Sequence, residues 1–289
     1  MEEKLAFVLG GGGSHGALQV GALRAALEAN FYPDFLVGTS IGSINSAFLA
    51  LHGFNVSALN LLEQAWLEAS VSDFLPGNLV WLSVNALMER TMSANQQRIQ
   101  HFFSNYGLTP QLKFRDLKEI PFYAVAAELN SCEPEVFGVD PDQSVVDGVM
   151  ASCALPPWIS PQIDQEKFLV DGGFVSNLPL EPAMRLGATR ILAFSLEEAF
   201  LGAIRRPFFS RTIQAVISRQ REMELKLAQA CGVPVLRIRL IPPGDYPLWD
   251  FSHTREWIEL GYQTARQTFL SQKNAVLDQE KAAFPVCSD

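Results

Sequence analysis

Four consecutive glycines, Gly10 to Gly13, follow the apolar run Leu5-Ala-Phe-Val-Leu9, and this junction limits the fold more than any other stretch. Glycine gives up the most conformational freedom on ordering, so four in a row weaken any strand or helix they enter. The run before them therefore reads as a short buried strand ending at Leu9. Apolar residues then recur at Leu18, Ala22, Ala25 and Ala29, with Gln19, Arg24 and Glu28 off that face, which makes a helix. Pro33-Asp34 restarts the chain, and Phe35-Leu-Val37 reads as a second buried strand. Ile41, Ile44, Phe48 and Leu51 fall at helical spacing, so another helix follows Ser40 almost at once. Such alternation of strand and helix builds a mostly parallel sheet.

The pattern continues along the chain. A helix is expected around Ala58 to Ala69, and the apolar but irregular stretch from Val71 to Ala94 as a cap or mobile segment. Pro121 to Ala127 and Val136 to Val139 read as strands, and Ser144 to Ser152 as a short helix. Lys167 to Val170 is a strand ending at Asp171-Gly172-Gly173, and Arg190 to Phe194 is another. An aromatic loop through Phe200, Phe208 and Phe209 leads to a long charged helix, capped by Ser210 and running to about Cys231. Pro234 to Leu240 is a strand, and the tail from Ser252 is helical. No repeat or composition break marks a linker. The expected architecture is one α/β domain over residues 1–289, a mostly parallel central sheet with helices on both faces, of which residues 196–289 form the C-terminal part.

Composition agrees with a packed core: 48% of the 289 residues are apolar and 18% charged. Lys+Arg total 22 against 31 Asp+Glu, a net charge of −9. That balance argues against nucleic-acid binding, which needs a basic face, and against holding an anionic membrane by bulk charge. Phe35 to Leu62 carries no Asp, Glu, Lys or Arg, but Gly38, Thr39, Ser40, Gly42, Ser43, Asn45 and Ser46 interrupt it too early for a membrane span. The acidic start Met-Glu-Glu-Lys does not resemble a signal peptide. Four scattered cysteines without a CxxC pair suit reduced thiols. A soluble, cytoplasmic protein is the expectation.

Two glycine-rich turns stand where chemistry belongs. Gly11-x-Gly13-x-x-Gly16 has the spacing of a dinucleotide loop, a weak signal alone. Asp34 lies at about the right distance to hold a ribose but starts the second strand, and Gly16 is followed by Ala17-Leu18 rather than by the Lys of a phosphate loop. What survives is a loop whose backbone N–H groups can hold negative charge at a helix N-terminus. The second turn, Gly38-Thr39-Ser40-Ile41-Gly42, fits G-x-S-x-G where a strand enters a helix, the setting that exposes a nucleophilic serine.

A nucleophilic serine needs a base. Ser40, Asp171 and His253 follow the order serine, acid, histidine, but only two strands precede Ser40, too few for an α/β-hydrolase. His52 ends a helix at His52-Gly53, and His101 belongs to an amphipathic helix. Asp171 ends a strand ahead of Gly172-Gly173, and in a parallel sheet that places it on the carboxyl edge with Ser40. A buried carboxylate within hydrogen-bond reach can deprotonate a serine directly.

Together these residues resemble the patatin-like phospholipase family. Leu9-Gly-Gly-Gly-Gly-Ser-His-Gly-Ala-Leu-Gln-Val-Gly21 is similar to its oxyanion loop, and Gly38-Thr-Ser-Ile-Gly-Ser-Ile-Asn45 to its nucleophile turn. Ala151-Ser-Cys-Ala-Leu-Pro156 and Phe168-Leu-Val-Asp-Gly-Gly-Phe-Val-Ser-Asn-Leu-Pro179 are similar to the stretch that ends in its Asp-Gly-Gly. The match runs over residues 5–195 and weakens beyond. The resemblance implies a dyad of Ser40 as nucleophile and Asp171 as base, with the N–H groups of Gly11, Gly12 and Gly13 as oxyanion hole. It implies Gly16, Gly38, Gly42, Gly172 and Gly173 as supporting residues and a lipid or fatty-acyl ester substrate hydrolysed through an acyl-enzyme. It implies neither a metal nor an organic cofactor. His15 stands where the family often has Arg or Lys, which removes a fixed charge beside the loop. The Val71–Met92 segment with Phe200, Phe208 and Phe209 is expected to line the acyl site, and Arg205, Arg206 and Arg211 to meet headgroups at a peripheral membrane contact. A catalytically weak lipid-binding protein of the same fold and a nucleotide-binding domain remain as alternatives, and the oligomeric state is left open.

Overall fold

The computed structural model describes residues 3–71, 90–155, 159–164, 166–197 and 208–283. Almost all of the segment expected to line the acyl site, with Pro156, Phe200, Arg205 and Arg206, lies outside them, as do the side chains of Met92, Phe208, Phe209, Ser210 and Arg211.

The first strand, β1 (Leu5–Leu9), stops at the glycines, and α1 (Gly16–Glu28) follows a single 3₁₀ turn over Gly13–His15. Then come β2 (Phe35–Thr39), α2 (Ile41–His52), α3 (Val56–Ser70) and α4 (Arg90–Asn105). Alternation along β1 buries both of its faces: Phe7 and Leu9 pack into the layer of α1 and α2, while Ala6 and Val8 pack into the opposite layer. The second half holds β3 (Phe122–Glu128), β4 (Glu133–Phe137), α5 (Val145–Ser152), β5 (Gln162–Asp164), β6 (Lys167–Asp171), α6 (Leu180–Arg185), β7 (Arg190–Leu196), α7 (Phe208–Ala230), β8 (Val235–Leu240) and α8 (Thr254–Ala283). The three-residue strand β5 and the short helix α6 leave no periodic mark in the sequence.

Strands β3, β2, β1, β7 and β8 are parallel neighbours in that order, while β4, β5 and β6 enter antiparallel at the β3 end. The sheet is thus mixed α/β with a parallel majority and helices on both faces. The C-terminal third belongs to it: β8 extends the sheet beside β7, and α8 lies against α1. These helices approach backbone to backbone at two glycines. A Cβ on Gly21 would sit 1.8 Å from Ile258 O, and one on Gly261 would sit 1.9 Å from Leu18 O.

Gln19 departs from the sequence expectation. Its helical position lies off the apolar face of α1, yet the side chain is fully buried, because its amide donates to Gly10 O (2.9 Å) and Phe194 O (3.2 Å). Those hydrogen bonds offset the desolvation of the amide and pin the start of the glycine loop to α1.

Candidate active site

The site forms where two strands end head-on. On β3, Phe122 to Glu128 have two sides; β4 pairs with Ala124 to Glu128 and takes one. The other is shared by β2, which pairs with residues 122–125, and β6, which pairs with Ala126 to Glu128. β2 runs with β3 and ends with Thr39 opposite Val125; β6 runs against β3 and ends with Asp171 opposite Ala126. This corrects the route by which Asp171 was expected to reach Ser40: it is no carboxyl-edge residue of a parallel strand. A strand of opposite direction carries it down onto the end of β2.

Ser40 occupies the turn between β2 and α2 at φ 53°, ψ −125°. A residue with a Cβ pays roughly 1–3 kcal/mol for such a backbone and keeps it only where surrounding contacts require it. Here the Ser40 N–H donates to Ser152 Oγ (2.8 Å), and that hydroxyl donates to Val125 O (2.6 Å), the carbonyl at the gap between β2 and β6. The Ser40 carbonyl accepts from Ser43 N (2.8 Å) and Ser43 Oγ (2.6 Å). Gly42 leaves space for the elbow to press on β1, since a Cβ there would stand 2.2 Å from Leu9 O. Gly38 faces the Gly42 carbonyl at 2.5 Å in the same sense, and Gly16 faces Ile41 Cγ1 at 2.5 Å.

Ser40 Oγ donates to Asp171 Oδ2 at 2.6 Å, across 131 residues of sequence. Asp171 is 6% exposed, and burial pushes its carboxyl up from the usual 3.8 to about 6, against hydrogen bonds from Ser40 and Gly173 that lower it. Gly173 N donates to Oδ1 (2.8 Å), and Asp171 N donates to Ala154 O (2.9 Å), so both oxygens and the backbone are held. Gly172 lies against Val125 O, 2.1 Å from where its Cβ would be. Behind the pair, Cys153 is buried 3.8 Å from Ser43 Oγ; desolvation, then the Asp171 charge, push its thiol far up.

The glycine loop divides into two functions. Gly11 N donates to Asn177 O (2.9 Å), so this N–H holds the loop and is not offered to an oxyanion, contrary to the sequence expectation. Gly12 and Gly13 are part-exposed, and their N–H groups meet no acceptor among the described residues. Gly13 has φ +55° and lies against Leu248 O, 2.3 Å from an added Cβ, a place open only to glycine. His15 is buried, with its ring edge-on to Trp257 at 5.0 Å between centroids, so it packs beneath α8.

The other histidines have different neighbours. His52 Nε2 lies 2.9 Å from Tyr106 O, and His101 is exposed. His253 stacks on Trp257 and its Nδ1 lies 3.1 Å from Glu256 Oε2. Ser40 Oγ donates directly to Asp171 Oδ2, with no histidine between them. Asp34 accepts from Leu5 N (2.6 Å) at the start of β1, the sheet edge opposite the glycines, which removes it from any ribose-holding role. Among the described residues no three His, Cys, Asp or Glu side chains converge as a metal site needs, and no helix is long and apolar enough to cross a membrane.

Comparison with known proteins finds relatives of this chain. Residues 7–184 match the family model described as patatin-like phospholipase. The chain is 27% identical over 295 residues to patatin-like phospholipase domain-containing protein 7 of Mus musculus, covering 92% of this chain and 20% of that protein. It is 28% identical over 192 residues to lysophospholipase NTE1 of Mycosarcoma maydis, covering 65% of this chain and 9% of that protein. The chain thus spans a fifth or less of the length of these relatives. Among solved structures, VipD of Legionella pneumophila is similar with a TM-score of 0.48 at 15% identity, covering 93% of this chain and 67% of that one.

Proposed function

The chain belongs to the patatin-like phospholipase family, and on that premise we propose that it is a serine-dependent acyl hydrolase of lipid or fatty-acyl esters, working through a Ser40–Asp171 dyad. The observation that carries the reading is the 2.6 Å hydrogen bond from Ser40 Oγ to Asp171 Oδ2 at a strained strand-to-helix turn. In the first step Ser40 Oγ attacks the ester carbonyl carbon while its proton passes to Asp171. The tetrahedral oxyanion takes hydrogen bonds from Gly12 N and Gly13 N, with Gly11 holding the loop in place. Collapse breaks the bond to the alcohol, which leaves with the proton from Asp171. A water then gives its proton to Asp171, attacks the acyl-enzyme and releases the fatty acid, returning the proton to Ser40.

A base near pKa 6 suits this cycle, because it is mostly ionised at neutral pH yet still able to hold a proton in passing. The reaction as written draws on no metal and no organic cofactor. Lipid substrates bring the protein to a membrane surface as a peripheral visitor, and a net charge of −9 assigns that contact to apolar residues rather than to bulk electrostatics.

The test is hydrolysis of p-nitrophenyl esters of graded chain length by wild type and Ser40→Ala, with fluorophosphonate labelling of both. Wild type is expected to hydrolyse the esters and carry the label on Ser40, and the folded alanine variant to do neither. A folded Ser40→Ala protein with wild-type rates ends the proposal.

A further inference from the structure

Beyond the dyad, two residues decide how its pieces meet, Ser176 and Asn177, and both are held from one helix. Ser176 lies just past the base loop, its N–H donating to Gly172 O (2.8 Å), and its carbonyl accepts from Thr39 Oγ1 (2.8 Å), the residue before Ser40. Asn177 O accepts from Gly11 N (2.9 Å) and Asn177 Nδ2 donates to Gly11 O (3.4 Å). The Asn177 amide is wedged between two glycines: its Oδ1 lies 2.7 Å from a Cβ built on Gly11 and 3.0 Å from one built on Gly173. Nucleophile strand, base loop and glycine loop are therefore joined through two consecutive residues.

Both are bracketed by α7, which lies wholly beyond the residues that match the family model. Gln220 Oε1 accepts from Asn177 N (2.9 Å). One turn on, Glu224 Oε1 accepts from Ser176 Oγ (2.6 Å), and its Oε2 accepts from Leu180 N (2.7 Å) and Glu181 N (3.0 Å). The i, i+4 spacing places the two side chains on one face of the helix. Glu224 is only 8% exposed, an expensive place for a carboxylate unless its acceptors are used.

We infer that Gln220 and Glu224 are positioning residues, which set the distance between the Ser40–Asp171 pair and the Gly12–Gly13 donors by holding Ser176 and Asn177. The inference rests on the acyl-hydrolase reading for its catalytic consequence but not for its structural one. Burial pushes the Glu224 carboxyl up to about 7, with hydrogen bonds from Ser176, Glu181 and Leu180 opposing and the Glu181 charge reinforcing the shift. Glu224→Gln keeps the shape of the side chain: its amide oxygen can still accept from the two N–H groups and its NH2 can bond Ser176 Oγ. Glu224→Ala leaves Ser176 Oγ and Glu181 N without this acceptor, while Leu180 N keeps Leu178 O (2.7 Å), and Gln220→Ala leaves Asn177 N without its acceptor.

The experiment measures two quantities on wild type, Glu224→Ala, Glu224→Gln and Gln220→Ala. The first is amide hydrogen exchange at Gly11 and Gly173, with Phe7 and Val37 as core references; the second is kcat and KM for a p-nitrophenyl ester. In both alanine variants Gly11 exchange is expected to quicken by about tenfold or more while Phe7 and Val37 stay as in wild type. Displacing the donors by a fraction of an ångström is expected to lower kcat by roughly 10–10²-fold with KM changed less than about threefold, and Glu224→Gln should recover most of it. Should Glu224→Ala fail to fold, Gln220→Ala decides alone. Wild-type exchange at Gly11, or wild-type kcat, in a folded alanine variant overturns the inference, as does failure of Glu224→Gln to recover activity. If the wild-type protein neither hydrolyses the ester nor takes a fluorophosphonate label, the hydrolase reading falls, and exchange at Gly11 and Gly173 still decides whether α7 holds the loops.

Discussion

Thr39 and Asp171 lie end to end along one side of β3, opposite Val125 and Ala126 respectively, although their strands run in opposite directions. This relationship sets the site. It brings a carboxylate to the residue after Thr39 without a connecting loop that would have to be ordered separately. It also leaves the carbonyl of Val125 at the gap, where Ser152 fills the missing ladder partner. The Ser40 to Asp171 hydrogen bond is thus a consequence of sheet register, which is among the least deformable features of a fold.

Replacing the base tests the dyad directly. Asp171→Asn removes the proton acceptor and is expected to lower single-turnover acylation by about 10²–10⁴-fold. His253→Ala and His52→Ala, whose rings face Glu256 and Tyr106, should keep most of the wild-type rate. If His253→Ala is as inactive as Ser40→Ala while Asp171→Asn is mild, a histidine-dependent hydrolase replaces the dyad.

The raised carboxyl of Asp171 makes two pH predictions of opposite sign. Activity needs the ionised base, so kcat/KM should rise with pH through about 6. Stability runs the other way: a folded-state value above the ordinary 3.8 favours the protonated folded form. Its stabilising share is fully present below about 3.8 and is lost as pH rises through about 6, on the order of 3 kcal/mol at most. Thermal melts of wild type and Asp171→Asn should therefore differ more at pH 8 than at pH 4, with the asparagine variant the more stable at pH 8. Equal differences at both pH values would exclude the shift.

Ser152 is predicted to matter for both fold and rate, though it touches no substrate in the proposed mechanism. Ser152→Ala strips the partner from Ser40 N, which is part-buried, and from Val125 O, which is buried. A loss of about 1–3 kcal/mol in chemical denaturation is expected, with slower fluorophosphonate labelling of Ser40 as the elbow relaxes. Ser152→Thr, which keeps the hydroxyl, should recover part of the labelling rate. Unchanged stability and labelling in Ser152→Ala would show that the elbow is held by other contacts.

Gly42→Ala is expected to prevent folding or to cost more than about 3 kcal/mol, because its methyl would sit 2.2 Å from Leu9 O and 2.8 Å from Gly10 O, which are backbone atoms of the central strand and its loop. Soluble yield and the denaturation midpoint measure it. A near-wild-type midpoint would mean that α2 can move away from β1.

The elements around β1 and β2 were legible because their signals are local. Leu5–Leu9 and Phe35–Val37 are marked as strands by their apolar runs, and their ends by Gly10–Gly13 and by Gly38-Thr39-Ser40, although the second strand runs on to Thr39. Ser40 and Asp171 could be named as candidates for the same reason, since each stands at a strand end beside glycine. The direction of β6 was not legible, because period-two alternation looks the same whichever way a strand runs, and only its pairing with β3 decides it. Burial of Gln19 was hidden as well, since its acceptors, Gly10 O and Phe194 O, come from loops and strands up to 175 residues away. Gly11 looked identical to Gly12 and Gly13 until Asn177 took its N–H. Gln220 and Glu224 stand in a helix legible only as long and charged, and their contacts depend on which turn of α7 meets Ser176 and Asn177. Residue type and local period therefore determined where strands end and which side chains carry reactive groups. Long-range packing alone decided which backbone donors are consumed, which polar side chains are buried, and which two strand ends face each other.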